Sequence, residues 1–227
     1  MNETIFYPFG PKILISNCPS NIIEKLNNFI DKDLNENDKK YFSSFCDYIP
    51  NLLNRDLENI FLSEKKCEDI GLKNFLEEIA NIYIQDDDNK FEKLKLSIIE
   101  KTNDNFKNKN IIYSDCWINR YFLGDYTPIH THSGVLSGVI FLKFPPKEKK
   151  YYLRETSSHG DLSFFYGSEQ NFCNDTWIPE KKVGTVLIFP SWLKHTVYSN
   201  KNKSERRSLS FNLVLEENYN KRKNTYF

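Results

Sequence analysis

The chain is short of several things. It has one alanine, Ala80, against 26 asparagines, and a single methionine. We read that bias as drift in an A- and T-rich coding sequence rather than as physics. It has no charge of one sign to spare: Lys+Arg and Asp+Glu are both 31, so the formal net charge is zero. That lacks the basic footprint of a sequence-blind nucleic-acid binder and argues against a nucleic-acid partner. Long apolar runs are missing too. The longest, Val139 to Leu142 with its flanks, is far too short to cross a bilayer. The five cysteines, Cys18, Cys46, Cys67, Cys116 and Cys173, are scattered, odd in number and form no C-x-x-C. Neither a disulfide framework nor a zinc knuckle is therefore expected. No basic-then-apolar leader follows Met1, so a cytoplasmic protein with reduced thiols is the expectation.

What is present is aromatic. Phe, Tyr and Trp make up 15% of the residues, with 18 Phe and 13 Tyr, although the mean hydropathy is −0.60. A disordered chain would be short of aromatics, so this one folds. At 227 residues it can bury a core without staples.

Two grammars follow one another. In the first half, Ile22, Ile23, Leu26, Phe29 and Ile30 recur at helical period, with Ser20 placed to cap that helix. Leu72, Phe75, Leu76, Ile79 and Tyr83 repeat the pattern, as do Phe91, Leu94, Ile98 and Ile99. The polar stretches at 31–40 and 102–110 read as solvated loops, and Lys12 to Ile15 as a short strand. From residue 111, short β-branched and aromatic runs alternate with turn residues. The spacing predicts strands at 111–122, 138–144, 150–155, 161–166, 185–189, 195–199 and 207–215. Such strands suit a double-sheet jelly roll. No linker or internal repeat divides the chain. One domain over 1–227 is expected: a helical support region at 1–110 packed outside, a jelly-roll core at 111–216 and a polar tail at 217–227.

Only four histidines occur: His130, His132, His159 and His195. On a strand, residues i and i+2 share a face, so His130 and His132 project together and Thr131 points away. His195 follows 63 positions after His132. Two neighbouring ligands plus a distant third is how a β-barrel builds a three-ligand metal site with open positions. The bland alternative is an ordinary hydrogen-bonded pair of strand histidines. Context favours the metal, since both segments read as turn, strand, histidine after Gly124 and Gly184. His159 has no such context and reads as a surface loop residue.

Beyond His195, the strand from 206 splits by parity. Arg206, Ser208, Ser210 and Asn212 share one face; Arg207, Leu209, Phe211 and Leu213 share the other. A guanidinium at the head of a polar row is suited to bidentate recognition of a carboxylate, with Ser208 as a neighbouring donor. Arg207, in register with the apolar row, is expected at the strand end with its head in water.

At these residues the chain resembles the 2-oxoglutarate- and Fe(II)-dependent oxygenases, specifically an oxygenase family of bacteria and phages. The matching stretches are W-I-N-R-Y at 117–121, G-D-Y-T-P-I-H-T-H at 124–132, S-G-V-I-F at 137–141 and G-D-L-S-F at 160–164. G-T-V-L-I-F-P-S-W-L-K-H at 184–195 and R-R-S-L-S-F-N at 206–212 complete them, and F-Y-P-F-G-P-K-I at 6–13 fits the family's start. The resemblance implies a double-stranded β-helix, mainly β with N-terminal helices. It implies Fe(II) held by His130, His132 and His195, with 2-oxoglutarate and O2 as co-substrates. It also implies Arg206 and Ser208 at the distal carboxylate, and Asn119 or Tyr121 as a further donor. Hydroxylation of a small-molecule or peptide substrate with release of succinate and CO2 would follow.

One departure matters. The superfamily's usual triad has a carboxylate where His132 stands. Either His132 is a ligand, giving a neutral donor set, or it turns away and water or Asp125 fills the place. The spacings also match cupin motifs in part, but the cupin glutamate is absent, with Leu136 and Ser137 there, and Trp192 replaces a glycine. Two other readings stay open: a three-His dioxygenase that does not use 2-oxoglutarate, and a non-catalytic binding module on the same barrel. Trp117, Phe141 and Phe211 read as core; Trp192, just before His195, is the aromatic with a claim to the substrate.

Overall fold

The structure, a computed structural model, describes residues 4–6, 10–34, 42–43, 58–85, 111–146, 159–172 and 174–216. The expected helix around Phe91–Ile99, the strand at 150–155, the loop at 102–110 and the tail at 217–227 lie outside the described residues.

The chain runs through β1 (Thr4–Phe6), β2 (Ile13–Asn17), α1 (Ser20–Asn28), a π-helical turn (Phe29–Asp33), β3 (Phe42–Ser43) and β4 (Glu58–Phe61). Then come α2 (Glu64–Ile70), α3 (Leu72–Gln85), β5 (Ile111–Tyr121), β6 (Thr127–His130) and β7 (Leu136–Lys143). It ends with β8 (Leu162–Phe165), β9 (Thr176–Trp177), β10 (Thr185–Pro190), β11 (Lys194–Val197) and β12 (Arg206–Leu215). The strands form an eight-stranded sheet, in order β1-β2-β10-β7-β12-β5-β4-β3, and a four-stranded sheet, β6-β11-β8-β9. Every pairing is antiparallel.

The large sheet is buried on both faces, and strand parity sorts the residues. The outer face carries Ile60, Cys116, Ile118, Leu209, Phe211 and Leu213 against the helices. The inner face carries Tyr121, Val139, Phe141 and Leu187 against Leu162, Phe164 and Val197 of the small sheet. α3 buries Leu72, Leu76, Ile79 and Tyr83, a stripe at helical period. α2 is capped by Ser63, whose Oγ accepts from the Lys66 N–H at 3.2 Å. It stops at Gly71, whose φ of 85° is the left-handed geometry a helix C-terminus uses. Gly138 on β7 has no room for a side chain: a Cβ there would meet Phe211 Cζ at 2.1 Å and the Leu187 carbonyl oxygen at 2.6 Å.

Several expectations change. Ser20 does not cap α1; it is the first helical residue, preceded by Pro19, with no side-chain cap bond. Pro19's carbonyl accepts from Ile22 and Ile23 instead. Asp31 to Asp33 belong to the π-helical turn rather than to a loop. β4 and α2 were not foreseen. Among the described residues no helix is long and apolar enough to cross a membrane.

Candidate metal centre

The three predicted histidines meet. His130 ends β6, and His195 lies opposite it in the β6–β11 register. His132 is past the end of the strand, so strict alternation does not place it. Its backbone N–H donates to the Ser191 carbonyl at 2.9 Å, which folds the segment back beside the β10–β11 turn. Thr131 is exposed, as expected. Ring centroids stand 4.3 Å apart for His130 and His195, 4.9 Å for His130 and His132, and 5.0 Å for His132 and His195. One potential ligand atom from each lies within 4.8 Å of the others.

The donor chemistry fits a divalent transition ion. His130 Nδ1 sits 2.8 Å from the Pro128 carbonyl, and His195 Nδ1 sits 2.8 Å from the Leu193 carbonyl. A carbonyl only accepts, so each Nδ1 carries the proton and each Nε2 keeps its lone pair. His132 Nε2 and His195 Nε2 are 3.1 Å apart. Two cis ligands, each about 2.1 Å from one ion, would stand about 3.0 Å apart. Burial, with a lesser push from His130, lowers the His132 pKa to about 4 and the His195 pKa to about 3; burial also lowers that of His130. All three rings are therefore neutral at pH 7, the protonation state a metal needs. The cluster holds no carboxylate among the described residues. Asp125 does not fill the place: its carboxylate accepts from the Phe122 N–H at 2.7 Å and closes a turn.

Beside the histidines, β5 and β12 turn a polar row inward. The register opposes Arg206 to Tyr121, Ser208 to Asn119 and Ser210 to Trp117. Arg206 is 2% exposed. Its Nη1 donates to Ser208 Oγ at 3.2 Å, its Nε has no hydrogen-bond partner, and its head lies over Tyr121, Phe141 and Phe144 at 5.0, 5.8 and 5.9 Å. Among the described residues it has no carboxylate in ion-pair contact, and burial pulls its pKa down. Tyr121's hydroxyl is 2.7 Å from Thr127 Oγ1 on the histidine strand. Asn119 Nδ2 donates to Ser210 Oγ at 2.9 Å.

Arg207 corrects the expectation of a head in water. It is 0% exposed and faces the helices. It donates to Glu205 through Nε and Nη2 at 2.8 Å each, to Asp31 at 2.6 Å and to Asn27 at 2.9 Å. His159 also departs from the surface reading: it is 9% exposed, its Nδ1 accepting from the Lys201 N–H at 3.2 Å. It belongs to the loop whose Gly160 lies against the Arg206 stem.

Trp117 is more than core. Its ring is 5.7 Å from His132 and stacks on Phe61 at 5.7 Å. Phe61 and buried Asn59 enter from β4, paired with Trp117 and Asn119. The sequence missed both, because their place depends on a strand pairing across some sixty residues. Trp192 is 55% exposed, 6.1 Å from Tyr166, in a cleft of about 360 Å³ with Phe165, Asp175 and Lys194.

Among solved structures, the chain is similar to AviO1 from Streptomyces viridochromogenes Tue57, with 12% identity, 89% of each chain covered and a TM-score of 0.53. EctD from S. alaskensis gives 12% identity, 91% of this chain and 76% of that one, and 0.53. A prolyl hydroxylase from Trichoplax adhaerens, solved with a hypoxia inducible factor peptide fragment, gives 16%, 92% and 86%, and 0.50. At such identities the likeness speaks for the fold: two antiparallel sheets with N-terminal helices, the double-stranded β-helix of the 2-oxoglutarate oxygenases. No curated protein matches the chain. Residues 115–212, which carry the three clustered histidines together with Arg206 and Arg207, match the model of the family described as "Putative 2OG-Fe(II) oxygenase".

Proposed function

We propose that the protein is a non-haem Fe(II)- and 2-oxoglutarate-dependent oxygenase that hydroxylates a small-molecule or peptide substrate. His130, His132 and His195 hold the metal through Nε2. The metal, with 2-oxoglutarate and O2, supplies oxidative decarboxylation to succinate and CO2 and transfer of one oxygen atom to a substrate C–H bond. The chain's own residues bind, orient and keep water out. Arg206 receives the distal carboxylate, Ser208 holds one arm of the guanidinium, and the Tyr121, Phe141 and Phe144 rings dry its surroundings. Asn119 and Ser210 order the polar row next to it.

The observation that carries this reading is the unmatched charge of Arg206. A buried cation is costly unless an anion meets it. Its neighbour Arg207 is matched by two protein carboxylates; among the described residues Arg206 has no carboxylate in ion-pair contact, only the charge of Asp161 acting from farther off, and it shares the inner face with the polar row. A dicarboxylate co-substrate would complete it. The wall formed by Phe61, Trp117, Asn59 and Asn119 is uncharged, two aromatic rings beside two amides, which suits a small molecule or peptide better than a polyanion. The carboxylate-free donor set favours a second reading, O2 chemistry without 2-oxoglutarate. The test is succinate release by anaerobically loaded protein exposed to O2 with and without 2-oxoglutarate. Succinate that requires both Fe(II) and 2-oxoglutarate supports the proposal; O2 uptake indifferent to 2-oxoglutarate supports the second reading.

A further inference from the structure

We propose that Cys67 and Cys116 are a redox modification site, a buried thiol pair that a peroxide converts into a cross-link between α2 and β5. The two Sγ atoms are 3.3 Å apart, although the residues lie 49 positions apart in the chain. Both are free thiols with no solvent exposure. Tyr113 from the same strand closes a triangle, its hydroxyl 3.5 Å from Cys67 Sγ and 3.6 Å from Cys116 Sγ. A disulfide needs its sulfurs at about 2.05 Å, so closure asks for little more than ~1 Å, shared between two side-chain rotations.

The environment also says which sulfur attacks. The hydrogen bond with Cys116, and to a lesser degree the contact with Tyr113, lower the Cys67 pKa against the opposing effect of burial, whereas burial raises that of Cys116. Cys67 thiolate attacks one peroxide oxygen; an S–O bond forms, the O–O bond breaks and water leaves. Cys116 sulfur then attacks the Cys67 sulfenic sulfur, the S–S bond forms and a second water departs. Two thiols and one hydrogen peroxide give one disulfide and two waters, the sulfurs losing two electrons to the peroxide. Burial sets the pace, since the reagent must wait for a local opening. Cys18 is a built-in control: buried in the same outer cluster, its pKa is pushed up to about 12 by burial, and among the described residues no hydrogen bond joins it to another sulfur.

The site sits back to back with the metal centre. Cys116 faces the helices; the next residue, Trp117, faces His132. A cross-link would tie α2 to the strand that walls the histidines.

The experiment needs no metal, so its outcome is independent of the oxygenase reading. Full-length protein is treated with hydrogen peroxide, alkylated in denaturant and mapped by peptide mass. The expected product is a peptide pair joined through Cys67 and Cys116, lighter by two hydrogens, with Cys18 still alkylated. Dithiothreitol reverses it, and Tm rises on the order of 10 °C for a loop this long. Cys67→Ser should abolish the rise; the wild-type map stands by itself if that variant folds poorly. The proposal is overturned if other cysteines oxidise while Cys67 and Cys116 stay alkylatable. Separate sulfinic acids, or a link from either residue to another cysteine, overturn it equally.

Discussion

The two faces of the large sheet treat the same residue types in opposite ways, and β12 carries both treatments in adjacent positions. Outside, Arg207 is saturated by Glu205, Asp31 and Asn27, and its neighbours along the strand are packed apolar side chains. Inside, Arg206 has one bond to a serine and an unpartnered Nε, and three neutral imidazoles converge without a carboxylate. One face has completed its bonding within the protein. The other leaves the Arg206 Nε without a hydrogen-bond partner and the imidazoles without a carboxylate among the described residues. The outer face therefore concentrates the bonding that holds the fold, and the inner face is where the proposed function would act.

The sharpest break of that contrast is at the histidines. The native protein should bind about one Fe(II) per chain, and His195→Ala should lose it, since an imidazole with a fixed tautomer disappears from a three-ligand site. Metal analysis after dialysis reads this; full occupancy in the variant would end the assignment. His132→Asp should keep iron if His132 is a ligand, because it supplies the carboxylate of the commoner triad.

Next come the two arginines. Arg206→Ala should weaken 2-oxoglutarate by about 2–5 kcal/mol, roughly 30- to several-thousand-fold in apparent KM, while barely moving Tm. Arg207→Ala should do the reverse. It leaves Glu205 buried with one of its three cations gone, a loss of about 3–5 kcal/mol read by denaturant unfolding. Equal effects from the two variants on both measurements would dissolve the distinction between the faces.

How legible was this in the sequence? The β half was readable because its short β-branched and aromatic runs are punctuated by turn residues; β12, the strand of ten residues, announces both faces by parity alone. The inward course of Arg206 followed from Ser208, Ser210 and Asn212, and the histidines from rarity and spacing. The outer bonding of Arg207 was not readable. It depends on Asn27 and Asp31, some 180 residues upstream, and on the π-helical turn that presents Asp31. β4 has four residues and no strong alternation, so Asn59 and Phe61 escaped notice until strand pairing set them beside Asn119 and Trp117. His132 was assigned correctly to the cluster by an argument that fails in detail, since the strand stops at His130 and a bond to Ser191 does the positioning.

The smallest expected effect is a pH dependence confined to the outer face. Glu205 is nearly buried, which by itself would raise its pKa. Hydrogen bonds from Arg207 and Arg120, then their charges, outweigh burial and bring it down to about 2. Lys143 reaches its other oxygen at 3.3 Å, and Asp31, likewise lowered by its bond from Arg207, lies across the guanidinium. A carboxyl with a depressed folded pKa binds its proton more readily in the unfolded chain, whose value is about 4.3. Its stabilisation is thus fully present above the unfolded value and is lost as pH falls through the folded one. Between about pH 4.5 and pH 2 the Glu205 network should give up at most about 3 kcal/mol. Arg207→Ala should flatten that part of the stability curve, because the largest of the contributions that lower the Glu205 pKa is lost and Arg120 alone of the two arginines remains to hold it down. Arg206→Ala should leave the curve as it is, since the inner arginine makes no bond to Glu205. Urea unfolding of the three proteins at pH 5.5, 4 and 3 measures the slopes, and an unchanged slope in Arg207→Ala would remove the outer network from the account of acid stability.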